Sequence, residues 1–157
     1  MKNAVKELKT QERMLLDKLK SDSVTALKNH DAKRVEVVRY LISLVNKREM
    51  QLPPGGLNEA EVISVLRKEL KNKEESREMF AKAGRQELVD EVDYEIEVVK
   101  EYLPKELSEE ELEKMVDEAI AESGSNFGMV MRSVMGKVQG RAGGDVISKM
   151  VNQKLKG

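Results

Sequence analysis

The apolar residues of this chain mostly recur every three to four positions, and this spacing constrains the fold more than any other feature. It places the apolar side chains of each segment on one face of a helix. Residues that end or begin helices interrupt the pattern at positions 29–31, 53–56, 84, 104, 124 and 140–144. The sequence therefore predicts an all-α protein built from amphipathic helices.

Polar residues at the expected helix starts support this interpretation. Asp31 is expected to cap one helix, and two pairs, Asn58 with Glu61 and Ser108 with Glu111, have the spacing of a capping box. The residues expected on inner helix faces are Leu8, Leu15, Leu19, Leu27, Val35, Val38, Leu41, Ile42, Val45, Val62, Leu66, Leu70, Leu112, Met115, Val116, Ala119, Ile120, Phe127, Val130, Met131, Val134, Val138, Ile147, Met150, Val151 and Leu155.

Residues 88–103 carry two overlapping patterns. The alternation typical of a strand is formed by Val92, Tyr94, Ile96 and Val98. A helical stripe is formed by Leu88, Val92, Ile96, Val99 and Leu103. Because a strand needs partners and no other segment alternates over a similar length, the helix is favoured. Pro104 then ends it, since its ring cannot continue the helical hydrogen bonds.

Pro104 also marks the expected domain boundary. Residues 1–103 are predicted to form a helical domain of about four helices. Residues 104–157 are predicted to form a second domain of three short helices joined by turns that contain glycine.

The composition excludes several classes of protein. The chain has no cysteine and a single histidine, His30, so a disulfide scaffold and a thiolate metal site are excluded. Gly136-Lys137 lacks the spacing of a phosphate-binding loop, and the many carboxylates fall mostly on polar helix faces. No catalytic, metal or cofactor site is predicted. The longest apolar stretch, 40–45, is too short to span a membrane, and residues 1–14 lack the apolar core of a signal peptide, so we expect a cytoplasmic protein.

The net charge of −1 conceals a segregation of charge along the chain. Residues 1–50 hold 12 basic and 7 acidic residues, residues 84–124 hold 4 and 15, and residues 125–157 hold 6 and 1. Such asymmetry is typical of chains that contact polyanions. The alternative is that the acidic and basic parts face each other or water.

A glycine-rich element at 140–144 leads into the last predicted helix. Its backbone N–H groups, the helix N-terminus and the Arg141 guanidinium would together suit a phosphate group. The alternative is a turn between helices in which the glycines only permit tight packing.

The order of several motifs resembles the GatB/YqeY family over nearly the whole chain. These motifs are Asp22, Ala26-Leu27-Lys28, Asp31, Arg39, Glu61-Val62, Val65-Leu66, Glu75-Ser76, Ala83-Gly84-Arg85, Glu101-Tyr102-Leu103-Pro104, Leu107-Ser108-Glu109-Glu110-Glu111-Leu112 and Gly140-Arg141-Ala142. The resemblance implies an all-α protein related to the tail of the B subunit of the tRNA-dependent amidotransferase. In that family the tail contacts tRNA, and carbon–nitrogen ligation with glutamine as the amide donor occurs in a separate catalytic domain. This chain has no counterpart of that domain, so we expect no catalysis by the chain alone.

The sequence departs from the family pattern near this element. Met129 stands where Lys is usual, Gly136 where Pro is common, and Gly143 where Asp is usual. The candidate nucleic-acid contacts are Arg132, Lys137, Gly140, Arg141, Gly143, Gly144 and Lys149. Each charged residue among them can equally be a solvated surface charge.

Two functions follow from these observations. The first is an accessory protein that binds tRNA through the basic C-terminal domain, since shape-dependent RNA binding needs few aromatic residues. The second is an adaptor that docks a synthetase or an amidotransferase-like partner, which an exposed, Met-rich strip on residues 125–138 would favour. We expect a monomer in either case.

Overall fold

The computed structural model describes residues 14–156, and this part of the chain forms seven helices and no strand. The helices are α1 (Met14–Lys28), α2 (Ala32–Gln51), α3 (Glu59–Lys82), α4 (Gln86–Tyr102), α5 (Glu109–Ser123), α6 (Phe127–Val138) and α7 (Gly144–Lys156). The predicted all-α class is therefore confirmed. Leu8, expected on the inner face of the first helix, lies outside the described residues. None of the described helices has the length and apolarity needed to cross a bilayer.

The described residues group into two compact units. The N-terminal unit ends at Leu103 and contains α1 to α4, and the C-terminal unit begins at Pro104 and contains α5 to α7. That residues 1–103 and 104–157 are separate domains stays a prediction, and each unit is described by itself.

Side chains cap the helix starts at all three expected positions. The Asp31 carboxylate accepts a hydrogen bond from Arg34 N at 3.1 Å, and the Asn58 side chain accepts one from Glu61 N at 2.9 Å. Ser108 and Glu111 form the complete reciprocal capping box. The box at Asn58 is only half formed, because the Glu61 carboxylate instead accepts a hydrogen bond from Arg48 Nε at 3.0 Å.

Residues 88–102 lie in α4, as the favoured interpretation required, and Leu103 follows the helix in an extended conformation. In α4 the buried residues are Val89, Val92, Ile96, Val98, Val99 and Tyr102. They cover more than one stripe of the helix, so α4 is packed on two sides. This wide buried surface explains why its sequence also alternates like a strand.

The core of the N-terminal unit joins all four of its helices. Its fully buried members include Leu19, Leu41 and Leu66. The sequence missed Val37, which is buried beside Val38. The prediction was wrong for Leu27, whose side chain is 54% exposed because it lies in the last turn of α1, where the chain reverses into α2.

A polar cluster near the end of α4 connects three helices of this unit. The buried Tyr102 hydroxyl donates a hydrogen bond to the Asp22 carboxylate of α1. Arg34 of α2 donates through Nη2 to the Tyr102 hydroxyl at 3.3 Å and to Glu101 Oε2 at 2.7 Å. Burial and the hydrogen bond to Asp22 raise the pKa of Tyr102, and the hydrogen bond to Glu101 raises the pKa of Arg34. The cluster therefore favours a neutral tyrosine and a charged arginine.

The C-terminal unit is a three-helix arrangement with a small aliphatic core. The buried residues are Leu112, Val116, Ala119, Val130, Val134, Val138, Ile147 and Val151. All eight are among the residues expected on inner faces. Phe127 was also expected there, but it is 40% exposed since it is the first residue of α6 and lies at the end of the core.

Candidate nucleic-acid interface

Charge is unevenly distributed over the three helices of the C-terminal unit. The first turn of α5 carries three consecutive glutamates, whereas six of the eight basic residues of this unit lie in α6, in α7 and in the turn between them. The opposite charges partly pair: Lys137 of α6 lies 3.3 Å from Glu122, and Lys154 of α7 lies 2.9 Å from Glu113. The basic surface is therefore smaller than the composition of residues 125–157 indicates.

The second of these lysines is held by two carboxylates. Lys154 Nζ is also 2.8 Å from Asp117 Oδ1, and the hydrogen bonds to Asp117 and Glu113 raise its pKa. The ion pairs link α7 to α5, which gives Lys154 a role within the unit.

The glycine-rich turn after α6 is fastened to the segment that precedes α5. Gln139 and Gly140 both have positive φ angles, +49° and +77°, which ends α6 and reverses the chain. The carbonyl of Arg141 then accepts a hydrogen bond from Leu107 N at 2.8 Å, and Arg141 Nε donates to the Lys105 carbonyl at 3.2 Å. These two bonds fix the position of the Arg141 guanidinium.

Three of the predicted contact residues line one cleft. Arg141, Gly143 and Lys149 contribute to a surface cleft of about 380 Å³ between the start of α5 and one side of α7. The other residues that line it are Glu106, Leu107, Glu109, Leu112, Ala142, Val146, Met150 and Gln153. The cleft thus combines two cations, two carboxylates and an apolar wall, and we call it the α5–α7 cleft.

Gly143 lies close to the carboxylate of Asp145, which is the end of an exposed side chain that can move aside, so this contact does not require glycine. A Cβ atom at Gly143 would lie 2.7 Å from Oδ1 of Asp145, which is closer than real side chains approach. Asp145 is in the first turn of α7, directly after Gly144. The first turn of this helix therefore carries its own carboxylate, which opposes an anion there and leaves the charged side chains Arg141 and Lys149 as the better phosphate ligands.

Of the other predicted residues, Gly140 lies in the turn after α6 and Gly144 begins α7, whereas Arg132 and Lys137 lie on α6. Lys137 is turned toward α5 by its ion pair with Glu122. Arg132 is exposed on the outer face of the helix, together with Gly128, Met129, Met135 and Gly136. Because these five residues follow the spacing i, i+1, i+4, i+7 and i+8, they form one row, which we call the α6 stripe. Arg132 thus belongs to a different surface from Arg141 and Lys149.

A comparison with protein families decides the relationship that the motifs suggested. The family model described as Yqey-like protein matches residues 16–155, which is most of the chain and includes parts of both units.

This chain belongs to the YqeY-like protein family. A search of curated proteins found no match.

Sequence reasoning about this YqeY-like protein missed the acidic side of its cleft. Glu109 was expected only on a polar helix face and Glu106 was not singled out, and their proximity to Lys149 depends on how α5 packs against α7. No local pattern reveals such a contact. Among residues 14–156, no group of three or more histidine, aspartate or glutamate side chains is arranged to hold a metal ion.

Proposed function

We propose that this YqeY-like protein is an accessory module that binds tRNA in the cytoplasm through the α5–α7 cleft of its C-terminal unit. The observation that carries the proposal is that Arg141 and Lys149, eight residues apart in sequence, line the same cleft. The resemblance of the chain to the tRNA-contacting tail of the amidotransferase B subunit supports the same ligand.

The chemistry of the cleft suits a ribose–phosphate backbone. Arg141 offers a planar guanidinium whose position is fixed by its hydrogen bond to the Lys105 carbonyl, and Lys149 offers an exposed ammonium group. Glu106 and Glu109 are acceptors, and the 2′-hydroxyl groups that distinguish RNA from DNA are donors. A ribonucleotide backbone therefore offers these carboxylates donors that a DNA backbone lacks.

The test is the binding of total tRNA to the wild type and to Lys149→Glu, measured at about 50 and 200 mM salt. Lys114→Glu is the matched control, because it makes the same change of charge at an exposed residue of the acidic helix α5. We expect Lys149→Glu to weaken binding by roughly tenfold at low salt and to reduce the salt dependence by about one counterion. Lys114→Glu is expected to have little effect. We do not use a charge reversal at Arg141 in this test, because its Nε donates to the Lys105 carbonyl and the substitution would also disturb the turn.

Two results would contradict this proposal. One is that the folded wild type does not bind tRNA at low salt. The other is that both lysine variants weaken binding equally, which would mean that only the overall charge of the protein matters.

The second candidate function, an adaptor that docks a synthetase or an amidotransferase-like partner, is favoured by the α6 stripe. Met129 and Met135 of this stripe are 56% and 47% exposed on a single 12-residue helix. Methionine and arginine are enriched in the cores of protein interfaces. Because the stripe and the α5–α7 cleft are different surfaces, one molecule has room for both ligands.

A further inference from the structure

The α6 stripe is symmetric about its single charge. Arg132 is at its centre, Met129 and Met135 lie three residues to either side, and Gly128 and Gly136 lie four residues to either side. The row from Gly128 to Gly136 is about 12 Å long at 1.5 Å per helical residue. Its centre is thus charged and both of its ends are small and apolar.

The two glycines of the stripe have no purpose that is visible within the unit. A Cβ atom at Gly136 would meet nothing within 4 Å, and one at Gly128 would make only an ordinary contact of 3.4 Å with Asn126 Oδ1. Neither residue has a positive φ angle. Glycine destabilises a helix relative to alanine, and packing within the unit gives no reason for it at these two positions. The close approach of another backbone would give such a reason.

The charge of the stripe indicates what approaches it. Arg132 forms no ion pair with another described residue, and its neighbours in the stripe are uncharged. A second copy of α6, packed antiparallel and symmetrically on the stripe, would bring two Arg132 side chains together. A ribose–phosphate backbone on the stripe would contact a single cation with a methionine on either side of it, which is a poor match for its repeated phosphate charges. A protein segment with one carboxylate between apolar residues fits the pattern better than either.

We propose that the α6 stripe docks an amphipathic helix of another protein, with a carboxylate of that helix opposite Arg132 and small apolar residues three to four positions to either side of it. The proposal rests on the second candidate function and names the partner chemistry of that surface. The glycines leave notches in the row of residues spaced by four, into which the side-chain ridge of a crossing helix packs. Met129 and Met135 supply flexible apolar contacts along the row.

The probe is a labelled, alanine-rich helical peptide of about 20 residues with one central Glu and a Leu three residues before and after it. Matched peptides carry Gln or Lys at the centre, and binding is followed by fluorescence anisotropy. The wild type is expected to bind the Glu peptide at least tenfold more tightly than the Lys peptide. Arg132→Glu is expected to reverse this order.

Gly136→Ala separates docking from stability, because the two effects have opposite signs. The substitution is expected to raise the melting temperature by roughly 2–4 °C, since the added methyl group meets open space in a helix. It is also expected to weaken binding of the Glu peptide at least fivefold and to leave tRNA binding unchanged. The last readout distinguishes failure of this inference from failure of the tRNA proposal.

Three results would overturn the inference. The first is that the three peptides bind equally or do not bind. The second is that Gly136→Ala binds the Glu peptide as tightly as the wild type does. The third is that Gly136→Ala weakens tRNA binding, which would assign the stripe to RNA.

Discussion

Replacing Tyr102 with phenylalanine should destabilise the N-terminal unit by about 2 kcal/mol. The ring is 2% exposed and keeps its packing in the variant, so only the hydroxyl is lost. That hydroxyl donates to Asp22 and accepts from Arg34, and hydrogen bonds to charged groups contribute about 1.5–3 kcal/mol each. We count only the bond to Asp22, because Arg34 keeps its 2.7 Å hydrogen bond to Glu101. The loss is placed in the lower half of the range for one bond because Asp22 remains 3.9 Å from Arg34 and stays partly compensated.

Urea unfolding followed by circular dichroism at 222 nm measures this loss. For an m-value near 2 kcal/mol/M, the midpoint should fall by about 1 M. Tyr40→Phe is the matched control, since Tyr40 is 47% exposed and phenylalanine keeps the ring beneath Lys73, so a change within about 0.5 kcal/mol is expected. An unchanged midpoint for Tyr102→Phe, or equal losses in both variants, would refute the reasoning.

The pH dependence provides a second readout of the same cluster. The pKa of Tyr102 is raised in the folded protein, chiefly by burial, whereas tyrosine in an unfolded chain ionises near pH 10. Above that pH the folded state holds more protons than the unfolded state, so stability falls as the pH rises. The Phe variant has no ionisable hydroxyl at this position and therefore lacks this contribution to the pH dependence of stability. The difference between wild type and Tyr102→Phe should therefore narrow in alkali, and a constant difference would contradict the assigned burial of the hydroxyl.

Three further predictions concern the core and the helix caps. Leu66→Ala removes a fully buried side chain and should cost about 3 kcal/mol in urea unfolding, whereas Leu27→Ala, at an exposed position, should change stability by less than about 0.5 kcal/mol; similar costs would contradict the assigned core. Ser108→Ala breaks the capping box of α5 and should cost about 1 kcal/mol in the same assay, and no loss would mean that the box does not stabilise the helix. The Ser108 backbone N–H lowers the pKa of Glu111, so the stability that this carboxylate contributes should be lost on acidification, and Glu111→Gln should flatten that part of the pH profile.

The helices and most of their inner faces could be predicted from the sequence, because the spacing of apolar residues and the capping residues are local signals. Leu27 and Phe127 satisfied the period and are nevertheless exposed, since each lies at a helix end. The cluster of Asp22, Arg34 and Tyr102 had no local signal, as its members are up to 80 residues apart.

The candidate site was less accessible from the sequence than the fold was. The glycine turn and Arg141 could be recognised locally, and Lys149 followed from its place in the next helix. The sequence did not reveal that Lys137 pairs with Glu122, because ion pairs between helices depend on tertiary packing. A count of basic residues therefore overestimates the surface that remains for RNA.

The measurement that tests the tRNA proposal most directly is a titration of the ¹⁵N-labelled full chain with tRNA at low salt, followed by amide chemical shifts. We predict that the shifts centre on residues 141–153 and on the start of α5, around the α5–α7 cleft. Shifts confined to residues 14–103 or to the α6 stripe, or none at all, would contradict it.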